Sequence, residues 1–228
     1  MTTTRLGGVS KSPFNSLNLA HHVGDDPDSV KTNREILRRD WLIPSEPYWL
    51  NQTHSTDVIE IDDKTIERDG DAAWTCQQET VCAVMTADCL PLLLYQGNPD
   101  RVAAIHAGWR GLEAGVIENT VAAMSDNPES IQAWLGPAIG PSSFEVGSEV
   151  REAFIGNDKG CVDCFRPSTN DGKYMANIYH LAKRRLNALG ITEITGGDYC
   201  TVLDQELFYS YRRDGQTGRM ATLIWLDE

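Results

Sequence analysis

The chain has 228 residues, of which 41% are apolar and 23% charged, the proportions of an ordinary globular protein. Its 20 basic and 33 acidic side chains give a net charge of −13. Duplex nucleic acid is bound mainly by Lys and Arg neutralising phosphates, so this charge argues against a nucleic acid partner. The negative net charge does not exclude a small anionic or nucleoside ligand bound in a local pocket.

Targeting signals are missing from the sequence. No apolar stretch reaches 18 residues, and the N-terminal segment lacks the apolar core of a signal peptide. We therefore expect a cytoplasmic protein that does not contact a membrane, as a monomer or a homodimer. In a reducing compartment its six cysteines are expected to be thiols or metal ligands rather than disulfides.

The first half of the chain predicts one helix and then a series of strands. Turn residues dominate the N-terminal segment, and a helix over 30–41 is predicted with Asp28 or Ser29 as its cap. Strand-like runs follow at 48–53, 58–61, 80–86, 90–95 and 102–106. The last three runs are apolar at both odd and even positions, which is typical of strands covered on both faces.

The second half mixes helices with shorter strands. Apolar periodicity predicts helices over 113–124, 148–155 and 175–189, and strands over 132–135, 191–195 and 219–226. The composition is even, with no repeat or linker. These elements indicate a single domain over residues 1–228, of α/β or α+β class, in which helices cover the faces of a sheet.

Three side chains stand where chemistry is expected. His54 and His106 each end a strand-like run, and ligand sites gather at strand carboxyl ends in open sheets. Cys89 lies at a break between two apolar runs, where a thiol is accessible, whereas Cys82 lies inside a run and is expected to be inert. The other histidines have weaker claims, since His21 and His22 lie in a polar loop and His180 in a predicted helix.

Two histidines and a cysteine suit Zn²⁺, with a fourth position left for water or substrate. The spacings of 35 residues from His54 to Cys89 and 17 from Cys89 to His106 are not those of a zinc finger. The fold would therefore have to assemble the site. The same residue types also fit a cysteine hydrolase, with Cys89 as nucleophile and His106 as base. Residue types alone do not separate these hypotheses from three unrelated side chains.

The segment after His106 indicates an anion pocket. Gly108 and Gly111 flank Arg110 just before the helix predicted from residue 113. Glycine permits close backbone approach, a helix N-terminus offers free N–H groups, and arginine adds a bidentate donor. Arg110 is thus the candidate for binding phosphate or a carboxylate, with a surface ion pair as the alternative. Cys161 and Cys164 form a single Cys-x-x-Cys, to which no role is assigned.

Several motifs taken together resemble one family. "NQTHSTDV", "TADCLPLLL", "AAIHAGWRGL", "GPAIGPSSFEVG" and "FYSYRRDGQTGRMA" are similar to those of the multicopper polyphenol oxidase (laccase-domain) or purine nucleoside phosphorylase family. That family includes human laccase domain-containing protein one and bacterial peptidoglycan editing factors. The resemblance implies a single α/β/α layered domain with a mixed sheet, and a metal triad at His54, Cys89 and His106. Relatives often read Val-His-Gly where this chain has Thr-His-Ser, with the histidine kept.

The resemblance also implies an activity. Members of the family phosphorolyse adenosine, inosine and methylthioadenosine to a free base and ribose 1-phosphate, and adenosine deamination is attributed to them. A zinc-dependent enzyme acting on a purine nucleoside and phosphate is therefore expected. Alternatives are a cytoplasmic hydrolase that edits peptidoglycan precursors, or a polyphenol oxidase with copper exchanged into the triad. A multicopper oxidase needs many histidines, and the chain has five.

Overall fold

The computed structural model of the chain describes residues 1–227. They form six α-helices: α1 Pro27–Asp40, α2 Trp109–Ala114, α3 Val116–Met124, α4 Ser148–Asn157, α5 Ile178–Ala188 and α6 Tyr211–Asp214. None of these described helices is long and apolar enough to span a membrane. The strands are β1 Tyr48–Trp49, β2 Val58–Glu60, β3 Ala72–Thr75, β4 Cys82–Thr86, β5 Leu90–Gln96, β6 Arg101–Ala107, β7 Ile131–Leu135, β8 Glu145–Gly147, β9 Phe165–Pro167, β10 Lys173–Ala176, β11 Glu193–Gly196 and β12 Met220–Ile224.

The strands form three sheets. The largest has six strands in the order β11-β7-β5-β6-β3-β2, with parallel pairs at both edges and antiparallel pairs between them. In the second sheet, β4 lies between β1, which runs parallel to it, and β12, which runs antiparallel. A small antiparallel sheet has the order β8-β10-β9. The predicted mixed sheet is confirmed.

The six-stranded sheet is buried on both faces, as its apolar runs predict. Alternate residues of a strand point to opposite faces, so Leu92 packs with helix residues such as Ile117 while Leu93 packs with Val84 of the second sheet. Leu37 of α1 packs on the far side of that second sheet. The α/β class is therefore confirmed, and two stacked sheets make up its β layer.

Two predicted boundaries near the N-terminus are wrong. Helix α1 begins at Pro27, because the Asp26 carboxylate caps it by accepting hydrogen bonds from the Ser29 backbone N–H and hydroxyl at 3.1 and 2.7 Å. The strand predicted over 48–53 ends at Trp49. The chain then turns, and His54 adopts a left-handed backbone conformation with φ of 63°.

Two predicted helices also differ from the structure. The helix over 113–124 is two helices, since α2 already begins at Trp109 and ends at Ala114, and the φ of 104° at Gly115 separates it from α3. The helix over 175–189 starts only at Ile178. Met175 belongs to β10, where it pairs with β8 and β9, and Asn177 caps α5. Strands β3, β8, β9 and β10 are short and have no clear apolar alternation, so the sequence did not predict them.

Candidate metal centre

Cys89 and His106 are brought together by the hairpin of β5 and β6. The strands are antiparallel and pair Pro91 with His106 and Leu90 with Ala107. The start of β5 therefore lies beside the end of β6 at one edge of the six-stranded sheet. Cys89, immediately before β5, comes close to His106 although 17 residues separate them.

A buried aspartate orients His106. Asp71 directly precedes β3, which pairs antiparallel with β6 through Ala72 and Ile105. Its Oδ1 lies 2.7 Å from Nδ1 of His106, and its carbonyl accepts a bond from the His106 backbone N–H at 2.7 Å. This contact uses Nδ1 of the ring and leaves Nε2 for a metal ion, the pattern that carboxylates impose on metal-ligating histidines.

The same aspartate fixes the turn that carries His54. Its carboxylate accepts bonds from the backbone N–H groups of Thr53, His54 and Ser55 at 3.1, 3.0 and 2.6 Å, and from the Ser55 hydroxyl at 2.9 Å. Burial opposes the charge, but the hydrogen bonds from His106 and Ser55 outweigh it and keep the pKa of Asp71 at about 2. One ionised side chain thus positions both histidines.

The three candidate ligands form a compact group. The ligand atoms of His54, Cys89 and His106 all lie within 4.8 Å of one another, and Cys89 Sγ is 3.8 Å from His54 Nε2. Ligand atoms about 3.5 Å apart are expected around tetrahedral zinc, given bonds of about 2.0 Å to nitrogen and 2.3 Å to sulfur. His106 is buried while His54 is exposed, so the group opens to solvent on one side. The donor set and the geometry fit a metal ion with one position open.

Gly108 leaves room for this group. It lies across the hairpin from Cys89, and a Cβ at this position would come 2.7 Å from His54 Cδ2 and 3.2 Å from Cys89 Sγ. Any larger residue would fill the space into which the ligands converge. The glycine is thus part of the site, although it contributes no ligand atom.

The electrostatics favour the thiolate form of Cys89. Burial alone would raise the pKa of this thiol, but the charge of His106 and hydrogen bonds to both histidines lower it. Burial likewise lowers the pKa of His106, and the stronger effects of Cys89 and Asp71 raise it. The thiolate is the form of cysteine that ligates metals and the form that acts as a nucleophile.

Two cavities meet at the triad. The larger, of about 380 Å³, also has His22, Thr86 and Arg219 in its walls. The smaller, of about 250 Å³, has apolar and aromatic walls that include Ile139 and Phe144. Both contain His54, Ala87, Cys89 and Tyr211, so a molecule reaching the open side of the triad can extend in two directions.

Comparison with known proteins agrees with the motifs. The family model described as multi-copper polyphenol oxidoreductase laccase matches residues 1–227. The chain belongs to this family. An Escherichia coli relative named purine nucleoside phosphorylase YfiH is 52% identical over 226 residues, which cover 99% of this chain and 92% of the relative. A Pseudomonas aeruginosa relative, purine nucleoside phosphorylase PA4543, is 49% identical over the same shares of both chains.

A solved structure extends the likeness to the fold. The crystal structure of Neisseria meningitidis protein NMB0706 is 46% identical and matches with a TM-score of 0.94, covering 100% of this chain and 93% of the other. The family resemblance predicted from the motifs is therefore confirmed, together with the α/β class.

The structure places Arg110 at the edge of this site. It is the second residue of α2, exposed, and its guanidinium carbon lies 4.5 Å from the centre of the Trp109 ring in the wall of the smaller cavity. The alternative of a surface ion pair is not seen, because no acid within residues 1–227 pairs with it. Binding of an anion by Arg110 stays a prediction.

Other candidates lie outside the triad. Cys82 is buried in β4, as expected. Cys161 and Cys164 are buried in a 3-10 turn over 159–164, where they pack in the main core. His180 lies in α5, half-buried.

Sequence reasoning missed Asp71 and the cavity residue Arg219, and it ranked the cavity residue His22 below the triad. The chain offers no local signal for the first, and the other two approach the triad only through the tertiary fold.

Replacing Asp71 with asparagine tests the role of the shared carboxylate. The neutral amide has one acceptor where the carboxylate has two, so it cannot bind His106 and the 53–55 turn together. We expect metal affinity to fall about 10- to 100-fold, the usual effect of removing such a partner. A zinc titration against a competing chelator measures this. Asp69→Asn, a matched change at an exposed position, should leave affinity unchanged; equal affinities in the two variants would contradict the role of Asp71.

Proposed function

We propose that the protein is a zinc-dependent purine nucleoside phosphorylase acting on adenosine, inosine and methylthioadenosine, with adenosine deaminase activity. The observation that carries the proposal is the convergence of His54, Cys89 and His106 at the junction of two cavities. The names of relatives that are 49–52% identical over almost the whole chain support the substrate class. We place the enzyme in the cytoplasm as a single domain over residues 1–228, in keeping with its six free cysteines.

The donor set supports zinc as the resident metal. Two imidazoles and one thiolate with an open fourth position are typical of catalytic zinc sites. When bound, the ion supplies a Lewis acid that stabilises negative charge. The same donors accept copper, which binds more tightly to most sites, so copper exchanged into the triad would give the site a metal able to oxidise phenols. Residues 1–227 bring together one group of this kind, whereas a multicopper enzyme requires several.

Phosphorolysis requires that phosphate, ribose and base are held together in the two cavities. An oxygen of hydrogen phosphate forms a bond to C1′ of the ribose while the bond from C1′ to the base nitrogen breaks. The electron pair leaves with the base, and the proton lost by hydrogen phosphate balances the proton gained by the base. The apolar walls of the smaller cavity, such as Ile139 and Phe144, suit a purine ring. Deamination would require the amino carbon of adenosine, rather than C1′, to face the triad.

The test is metal content together with adenosine turnover with and without phosphate. We expect about one zinc per chain, adenine release that depends on phosphate, and a slower formation of inosine. Removal of the metal by a chelator should stop turnover, and zinc should restore it. Zinc-loaded protein that releases no base from any of the three nucleosides would overturn the proposal. Turnover that survives metal removal would favour Cys89 as a free nucleophile.

A further inference from the structure

The larger cavity contains an arginine with unused donors. Arg219 directly precedes β12 and shares the cavity with all three triad residues. Its Nη1 donates to the carbonyls of Thr217 and Gly218 at 2.9 and 3.0 Å. Nε and Nη2 bond to no acceptor in the part of the chain that the structure describes. Two of the three guanidinium nitrogens are therefore free to bind a ligand.

No acidic residue balances this charge within the cavity. The chain carries 33 acidic side chains, yet none of the described ones lines the larger cavity. Burial lowers the pKa of Arg219, and the negative charges of Cys89 and Asp88 offset only part of that cost. The Arg219 guanidinium carbon lies 5.9 Å from the centre of the Tyr211 ring, but no carboxylate of the described residues pairs with it, and a half-buried cation without an anionic partner is costly for a fold. An anionic ligand would supply the missing partner.

Two other arginines near the site are committed elsewhere. Half-buried Arg34 donates from Nε and Nη2 to the Leu19 carbonyl and stacks on Trp49 at 4.1 Å. In the smaller cavity, Arg212 donates from Nη1 to the Glu145 carbonyl at 3.0 Å. Arg110 has no hydrogen-bond acceptor among the described residues, but it is exposed and the cavity that it lines does not include His106. Arg219 is half-buried and shares its cavity with all three triad residues, so it is the guanidinium better placed for an anion beside the triad.

The smaller cavity is less suited to an anion. It contains the carboxylate of Asp88, which accepts bonds from the Thr201 hydroxyl and the Arg212 backbone N–H, both at 2.6 Å. Asp88 lies in a bend and has φ of 93°. Arg110 and Arg212 also line this cavity, so its charge is mixed, and it is its apolar walls that favour the base here and the anion in the other cavity.

We propose that Arg219, assisted by His22, forms the phosphate subsite of this enzyme in the larger cavity, while the nucleoside base occupies the smaller one. The identity of the anion as phosphate rests on the proposed function. A guanidinium can donate two parallel bonds to a phosphate, and His22 adds a ring N–H in the same wall. Phosphate and base would then reach C1′ from different sides of the residues that the two cavities share. On this proposal Arg219, rather than Arg110, is the main phosphate ligand, and the two arginines are compared directly in the test below.

Steady-state kinetics of Arg219→Gln test the subsite. We expect KM for phosphate to rise about 10- to 100-fold, the effect of losing hydrogen bonds to a charged group, with KM for the nucleoside changed less than about threefold. Arg219→Lys keeps the charge and should recover part of the loss. His22→Ala, at an exposed position, should raise KM for phosphate to a smaller extent. Arg38→Gln removes an exposed arginine paired with Glu46 and serves as the control that leaves both constants unchanged.

Measuring the binding of inorganic phosphate tests the phosphate subsite independently of the proposed phosphorylase activity. Phosphorus-31 NMR line broadening of inorganic phosphate, titrated with the zinc-loaded protein, needs no turnover. Broadening that weakens in Arg219→Gln and His22→Ala, but not in Arg38→Gln, supports the subsite even if no nucleoside is cleaved. If Arg110→Gln weakens phosphate binding and Arg219→Gln and His22→Ala do not, the inference is overturned. Thermal unfolding of each variant checks the fold, and His22→Ala decides the matter if Arg219→Gln does not fold.

Discussion

Replacing Cys89 with alanine is expected to abolish zinc binding and to lower turnover about 1,000-fold, while the chain stays folded. The change removes one of three ligands, and loss of several kcal/mol of charge stabilisation corresponds to about this factor in rate. The fold should survive because the polar contact of the Cys89 sulfur is with His54, within the site itself. A chain of this size also buries enough surface to fold without metal. Metal analysis, adenosine turnover and thermal unfolding measure the three effects.

Control variants show whether Cys89 acts as a metal ligand or as a nucleophile. Cys76→Ala removes an exposed thiol outside the site and should leave metal content and turnover unchanged. His106→Ala removes a ligand but not the thiol, so it should match Cys89→Ala in both respects. A Cys89→Ala protein that lost its zinc and kept full turnover would show that the triad is not the active centre. An active wild-type protein without metal would assign Cys89 to nucleophilic chemistry.

The sequence could predict the three candidate ligands because each stands at a break in a strongly apolar run. The strands predicted over 90–95 and 102–106 match β5 and β6 almost residue for residue. Once these strands pair, Cys89 and His106 must share an edge of the sheet. His54 was selected for a wrong reason, since β1 ends at Trp49 and the histidine lies in a separate turn.

The partners of the triad could not be predicted in this way. Asp71 acts on His106 through the register between β3 and β6, and β3 is a four-residue strand without an apolar alternation. His22 and Arg219 lie near opposite ends of the chain and share a cavity only in the folded protein. Arg110 was selected because glycines and a predicted helix N-terminus surround it just after a ligand in the sequence, and its binding of an anion stays a prediction.

The stacking of the two sheets is another feature that the sequence could not predict. Runs that are apolar at both odd and even positions predicted strands covered on two faces. The six-stranded sheet is covered in this way, by helices on one face and by the second sheet on the other. The composition of such a strand is the same whether a helix or another sheet covers it. The stacking of the second sheet on this one is therefore visible only in three dimensions. That stacking matters for function, because Thr86 at the end of β4 contributes to the wall of the larger cavity.

Replacing Gly108 with alanine is expected to weaken zinc binding about 100-fold and to lower turnover in proportion, the cost of displacing a positioned group by about 1 Å. The added Cβ would lie 2.7 Å from His54 Cδ2, a distance at which one of the two groups must move. The His54 backbone cannot readily give way, because Asp71 binds the N–H groups of Thr53, His54 and Ser55. The ring would therefore rotate away from Cys89.

The backbone conformation makes Gly108→Ala a specific test of this contact. Gly108 has φ of −62° and ψ of 155°, which alanine adopts without strain, so any loss comes from the Cβ contacts. Gly156→Ala is the matched control, since it lies in α4 and a Cβ there meets nothing within 4 Å. That control should keep its zinc and gain slightly in stability. Zinc affinity of Gly108→Ala equal to that of Gly156→Ala would mean that the ligands do not converge on the space beside Gly108, and the metal would have to bind elsewhere.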